Sequence, residues 1–115
     1  MTNLERLKLH IKGITLEAEE YDIYLAESNL TANIDYDPTS NTNKRNILKS
    51  ALNILDDIAN NPNTMKNIKQ DDISISQFSE NLQSRIDHLQ NKIAQIPDDS
   101  GQYTDGATIG YLFSY

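Results

Sequence analysis

Residues 78–96 read FSENLQSRIDHLQNKIAQI, and the apolar positions Phe78, Leu82, Ile86, Leu89, Ile93 and Ile96 step by four, four, three, four and three. That rhythm follows the turn of an α-helix and puts all six side chains on one narrow stripe, the seam two packed helices share. A strand would alternate at every second residue. The stretch predicts a helix from about Ser76 to Gln95, stopped by Pro97. Ser74, with Gln77 three residues on, or Ser76 alone offers the N-cap. Asp71–Ile75 alternates polar and apolar residues and reads as a short extended lead-in. Three heptads are short for a free coiled coil, so the partner helix is expected inside the same domain.

The clearest helix of the first half is residues 44–60, KRNILKSALNILDDIAN. Ile47, Leu48, Ala51, Leu52, Leu55, Ile58 and Ala59 recur at the spacing of a broad buried helical face. The expected helix runs from about Lys44 to Asn60. Asn60 suits a left-handed exit, and Pro62 cannot continue the hydrogen-bond ladder. Met65 and Ile68 are expected to fold a short turn over the helix end.

Upstream, Asn3 to Lys12 reads as a helix whose capping box is Thr2 and Glu5. Leu4, Leu7 and Ile11 share a stripe, Gly13 supplies a left-handed stop, and Arg6, Lys8, His10 and Lys12 read as a solvated basic face. A second helix is expected over Leu16 to Ser28, capped by Thr15. Glu17, Glu19 and Glu20 sit early, where the helix dipole favours anions. Tyr21, Tyr24, Leu25 and Ser28 face inward. Only Gly13–Ile14 separates the two helices, so a hairpin or corner is expected. Residues 29–43, NLTANIDYDPTSNTN, read as a loop pinned by Leu30, Ile34 and Tyr36. Loops of that length are usually functional or mobile. The chain reads as all-α: residues 1–96 form a small bundle of about four helices, and 97–115 a linker and extended tail.

The chain has 115 residues, with 10 Lys and Arg against 17 Asp and Glu, a net charge of −7, and neither Cys nor Trp. That length suits one core. At 37% hydrophobic residues it is leaner than an average domain, yet not charged enough to stay unfolded. A net negative charge repels phosphates and argues against nucleic acid or anionic lipid as the main ligand. Without cysteine there is no disulfide frame, thiolate zinc site or Cys nucleophile. No apolar run approaches the roughly 18–20 residues of a membrane span. The N-terminus is charged within its first turn and does not read as a secretory signal. The protein is expected inside a cell, or packaged into something assembled there.

Catalytic chemistry is sparse. His10 and His88 stand on different helices and outside any metal-ligating spacing. Glu19/Glu20 and Asp56/Asp57 are helix neighbours that point about 100° apart, which makes them poor acid–base dyads. Asp35-Tyr36-Asp37 and Asp71-Asp72 read as solvated loop charge, and no EF-hand or phosphate-cradling glycine motif is present. Neither an enzyme nor a cofactor is expected.

The last residues differ in kind. Residues 97–102 read as a linker and Asp105-Gly106 as a turn. Beyond it Ile109, Tyr111, Phe113 and Tyr115 alternate with Gly110, Leu112 and Ser114, a period of two. A lone strand leaves backbone groups unpaired, and its apolar face costs about 25 cal/mol per Å² in water. It folds back on its own helices, docks on another subunit by strand addition, or is expendable disorder, against which its aromatic content argues. Ile109, Tyr111, Leu112, Phe113 and Tyr115 are the candidate partner-binding residues.

The short N-terminal helix with Leu4-Glu5-Arg6-Leu7-Lys8, the acidic second helix around Tyr21–Leu25, the apolar third helix through Ala51–Leu55 and Ala59–Pro62, and the final helix follow in an order that resembles the head–tail connector (adaptor) proteins of tailed bacteriophages. The likeness covers roughly Asn3 to Ile96 by layout, without a diagnostic motif; the Asn-rich loop and the aromatic tail depart from it. The resemblance implies a ring, commonly of twelve copies, beneath the portal protein, joined to neighbouring copies and to a tail-side neck protein. It implies a place at the virion neck after assembly in the host cytoplasm, DNA only as passing cargo, and no membrane. C-terminal segments in that family engage the portal or a neighbour. A soluble helical protein-interaction or regulatory module is the alternative.

Overall fold

The computed structural model describes residues 1–61, 63–64 and 74–97. Among them four helices assemble: α1 (Asn3–His10), α2 (Ala18–Glu27), α3 (Asn41–Ala59) and α4 (Ile75–Gln95). No strand occurs among these residues; one isolated antiparallel bridge joins Thr2 and Asp35. The protein is all-α.

The two apolar stretches pack against each other. Phe78, Leu82, Ile86 and Leu89 of α4 are buried, with Ile93 and Ile96 packed at the margin. They face α3, which buries Ile47, Leu48, Ala51, Leu55 and Ile58. Leu52 and Ala59, expected inside, are half-buried, while Ile54 is fully buried. Ile54 and Leu55, about 100° apart around the helix, are both buried because α3 is covered on more than one side: α1, α2 and α4 all pack on it. Leu7 and Ile11 of α1, Tyr21 and Leu25 of α2, and Ile14 between them complete the core.

The helix ends carry most of the departures. Thr2 and Glu5 form the capping box: the Glu5 N–H donates to Thr2 Oγ1 at 3.2 Å and the Thr2 N–H to Glu5 Oε1 at 2.8 Å. α1 ends at His10, and Gly13 (φ 90°) turns the chain away. The link to α2 is longer than Gly13–Ile14, because Thr15 does not cap α2. Glu17 does, its N–H donating to Glu20 Oε1 at 3.0 Å, and the Leu16 N–H donates to the Tyr21 hydroxyl at 3.0 Å, which holds the entry extended. α3 starts at Asn41, ahead of Lys44, since the Ser40 hydroxyl accepts from the Asn43 N–H at 3.1 Å. Asn60 leaves α3 with φ −93° rather than left-handed. The left-handed asparagine is Asn29 (φ 63°), after α2. There the Leu30 N–H donates to the Leu25 carbonyl and the Asn29 N–H to that of Ala26, the paired bonds of a Schellman exit. For α4 the cap is Ser74, which accepts from the Gln77 N–H at 3.1 Å. Ile75 belongs to the helix rather than to an extended lead-in; Asp71–Ile73, Met65, Ile68 and Pro62 lie outside the described residues.

The long loop is a structural part. A helix start leaves N–H groups without intrahelical acceptors, and the loop supplies them: Asn3 N–H donates to the Ile34 carbonyl at 2.9 Å and Leu4 N–H to that of Ala32 at 3.2 Å. Asn3, itself buried, donates from Nδ2 to the Thr31 carbonyl and accepts from Asn43 Nδ2 at 3.1 Å, tying α1, the loop and α3 together. Leu30 and Tyr36 are half-buried, as pins should be. Ile34 is 60% exposed and is held by its backbone instead.

Two arginines close two helix C-termini. Arg85 of α4 donates to the carbonyls of His10 (2.9 Å) and Lys12 (3.4 Å) at the end of α1. Arg45 of α3 is buried and donates to the Ile96 carbonyl at 3.1 Å at the end of α4. A cation there meets both the orphan carbonyls and the negative end of the dipole.

The seam predicts its own sensitivity. Leu82→Ala removes a side chain 1% exposed, so urea unfolding is expected to show a loss of about 2–5 kcal/mol; the same change at exposed Gln83 is expected within about 0.5 kcal/mol of wild type.

Candidate functional site

The candidate partner-binding residues Ile109, Tyr111, Leu112, Phe113 and Tyr115 lie outside the described residues, as do Asp71/Asp72 and Asp98/Asp99. Three of the other carboxylates make hydrogen bonds. Glu20 caps α2, and Asp57 accepts from the Tyr24 hydroxyl at 2.5 Å, joining α2 to α3. Burial, with Asp57 beside it, pushes the Tyr24 pKa up and keeps that hydroxyl a donor. Asp37 Oδ1 accepts from both the N–H and the hydroxyl of Thr39, an Asx turn. Among the described residues no group of three His, Asp or Glu side chains is placed to hold a metal ion.

What the structure brings together is cationic. Three depressions join end to end along the α1–α4 side. The first, about 210 Å³, is lined by Lys12, Ile14, Phe78, Leu82 and Arg85 among others. The second, about 290 Å³, continues from Arg85 past Ser84, His88, Leu9 and Leu89 to His10 and Lys92. The third, about 130 Å³, takes up His10 and Lys92 and adds Arg6, Lys44, Tyr36 and Ile96. Among the described residues no carboxylate lines any of the three, on a chain whose net charge is −7.

The solvated basic face expected for α1 holds for Lys8 and Lys12, which are exposed, and not for Arg6 and His10, which are half-buried. Arg6 stands 5.4 Å from the centre of the Tyr36 ring and Lys8 5.3 Å from that of Tyr21, cation–π contacts that fix both side chains. His10 is half-buried between α1 and α4. Burial first, then the charges of Arg6, Lys92 and His88, hold its pKa down from 6.5 to about 4. His88, on α4, is exposed, as the sequence predicts. The basic spacing of Arg6 and His10 was visible in the sequence. Their convergence with Arg85, His88 and Lys92 was not, because it depends on how α1 crosses α4. None of the described helices is long and apolar enough to cross a membrane.

His10 makes the channel measurable. Its proton affinity is lower in the folded protein than in the unfolded chain, so below the unfolded pKa of 6.5 the unfolded state binds the extra proton. This contribution to stability is complete above that value and declines as pH falls toward 4. NMR titration is expected to place the His10 midpoint near 4. In paired urea titrations His10→Gln is expected to lose less stability than wild type between the same two pH values.

No family model, curated protein or solved structure matches the chain.

Proposed function

We propose that the chain is a structural head–tail connector (adaptor) protein, a ring component between phage portal and tail, anchored through its C-terminal segment. The observation that carries this reading is the alternation of Ile109, Tyr111, Phe113 and Tyr115. It follows a bundle whose fifteen buried apolar residues, among those described, all fall between Leu7 and Leu89. A strand needs backbone partners, and the described bundle is helical, so strand addition to another subunit answers both needs at once. The helix order supports the same reading through its resemblance to adaptors. The partners are the portal protein, neighbouring copies in a ring of about twelve as in the adaptors it resembles, and a tail-side neck protein; its place is the virion neck. A net charge of −7 suits a conduit through which DNA passes without adhering. Enzymatic activity forms no part of the proposal.

The alternative is a helical interaction or regulatory module, and the cationic channel is what favours it. Mass photometry of the portal ring with the full chain, and with a variant lacking residues 98–115, separates the two. A connector adds a ring's worth of mass to the portal, and deletion of the segment weakens binding at least about tenfold, or 1.4 kcal/mol. A full chain that never binds the portal contradicts the connector reading, whatever its own oligomeric state.

A further inference from the structure

Charge is sorted along this chain before it folds. Between Gly13 and Asn43 there are seven Asp and Glu and no Lys or Arg. The fold turns that sorting into two surfaces. α2 buries Tyr21 and Leu25 and leaves Glu19, Asp22, Ile23, Ala26 and Glu27 exposed, a stripe at the helical spacing of three and four. At its middle Ile23 is 58% exposed. The stripe points away from the bundle and cannot reach the α1–α4 channel of its own chain.

The channel carries the opposite pattern. Leu9, 40% exposed, stands among cations, with Lys12 and Arg85 toward one end and Lys92, Lys44 and Arg6 toward the other. Like charges gathered in one groove repel until an anion joins them. The lengths agree: Glu19 to Glu27 is about 12 Å along its helix and Arg85 to Lys92 about 10 Å, at about 1.5 Å per residue. A phosphate polymer offers nothing to Leu9, whereas the α2 stripe brings an isoleucine with its carboxylates.

We propose that the channel takes the α2 face of a second copy of this chain, with Ile23 seated on Leu9. Glu19 and Asp22 then meet the cation-rich Lys92 end and Glu27 meets Lys12, so α2 runs antiparallel to α4 and the helix dipoles oppose. The two surfaces differ, so each copy receives one neighbour and enters another, which gives a ring or an open filament. In the ring proposed above this is the contact between neighbours, and to that extent the inference rests on that reading. Burial, then the charges of Arg6, Lys92 and His88, hold the His10 pKa down in the free chain; a neighbour's carboxylates at Lys92 offset those charges in the associated one.

Exposed ion pairs contribute little singly, so the contact is read at millimolar protein, by sedimentation of the full chain. Wild type is expected to gain mass with concentration. Glu27→Lys reduces the net negative charge and Lys12→Glu increases it, yet each is expected to weaken association at least about fivefold. Carried together in one chain, they are expected to restore it to within about twofold of wild type. General repulsion between acidic chains cannot produce that pattern. A mass that stays that of one chain at millimolar protein overturns the inference. So does association that either reversal leaves unchanged, or that the pair fails to restore. Portal binding by a chain that does not self-associate removes this contact and leaves the connector reading in place; self-association without portal binding does the reverse.

Discussion

The packing of α3 is the constraint on which the rest depends. α1, α2 and α4 all lie against this one helix, which buries residues on several sides, including Arg45 and Ser50. A helix covered in that way must satisfy its polar side chains internally. Ser50 donates to the Tyr24 carbonyl at 3.1 Å, and Arg45 donates from Nη2 to the Ile96 carbonyl at the end of α4, while its buried Nε is left without a hydrogen-bond partner. The short α1 and α2, marginal alone, are held by this contact rather than by propensity. In turn Asn3, Asn43 and the loop carbonyls fix where α1 begins.

How much of this the sequence discloses follows from which forces leave a periodic trace. Apolar spacing does, so the seam of Phe78 to Leu89 and the inner face of α3 are legible before any coordinates. Thr2 with Glu5 is legible because the capping box has a fixed spacing. Polar contacts between distant segments leave no such trace. Nothing in 29–43 marks it as the acceptor for α1, since its work is done by backbone carbonyls. Either of two asparagines could take the left-handed exit, and Asn29 takes it because Leu30 can return to the Leu25 carbonyl and pack on the core. Ile54 escapes a one-sided reading of α3 because the second side belongs to other helices.

The candidate site divides in the same way. The strand pattern of 109–115 is a property of the sequence. The cationic channel is a property of the fold, assembled from α1, α3, α4 and Tyr36 of the loop. The negative charge lies elsewhere on the chain, so a single net figure hides a surface with two characters.

Native-state hydrogen exchange tests the central role of α3 most directly. If all four helices depend on it, the slowest amides of α1, α2, α3 and α4 exchange with one free energy, equal to that of global unfolding and shifted together by Leu82→Ala. Amides of α1 and α2 that open at far lower free energy, unmoved by that substitution, would contradict the account.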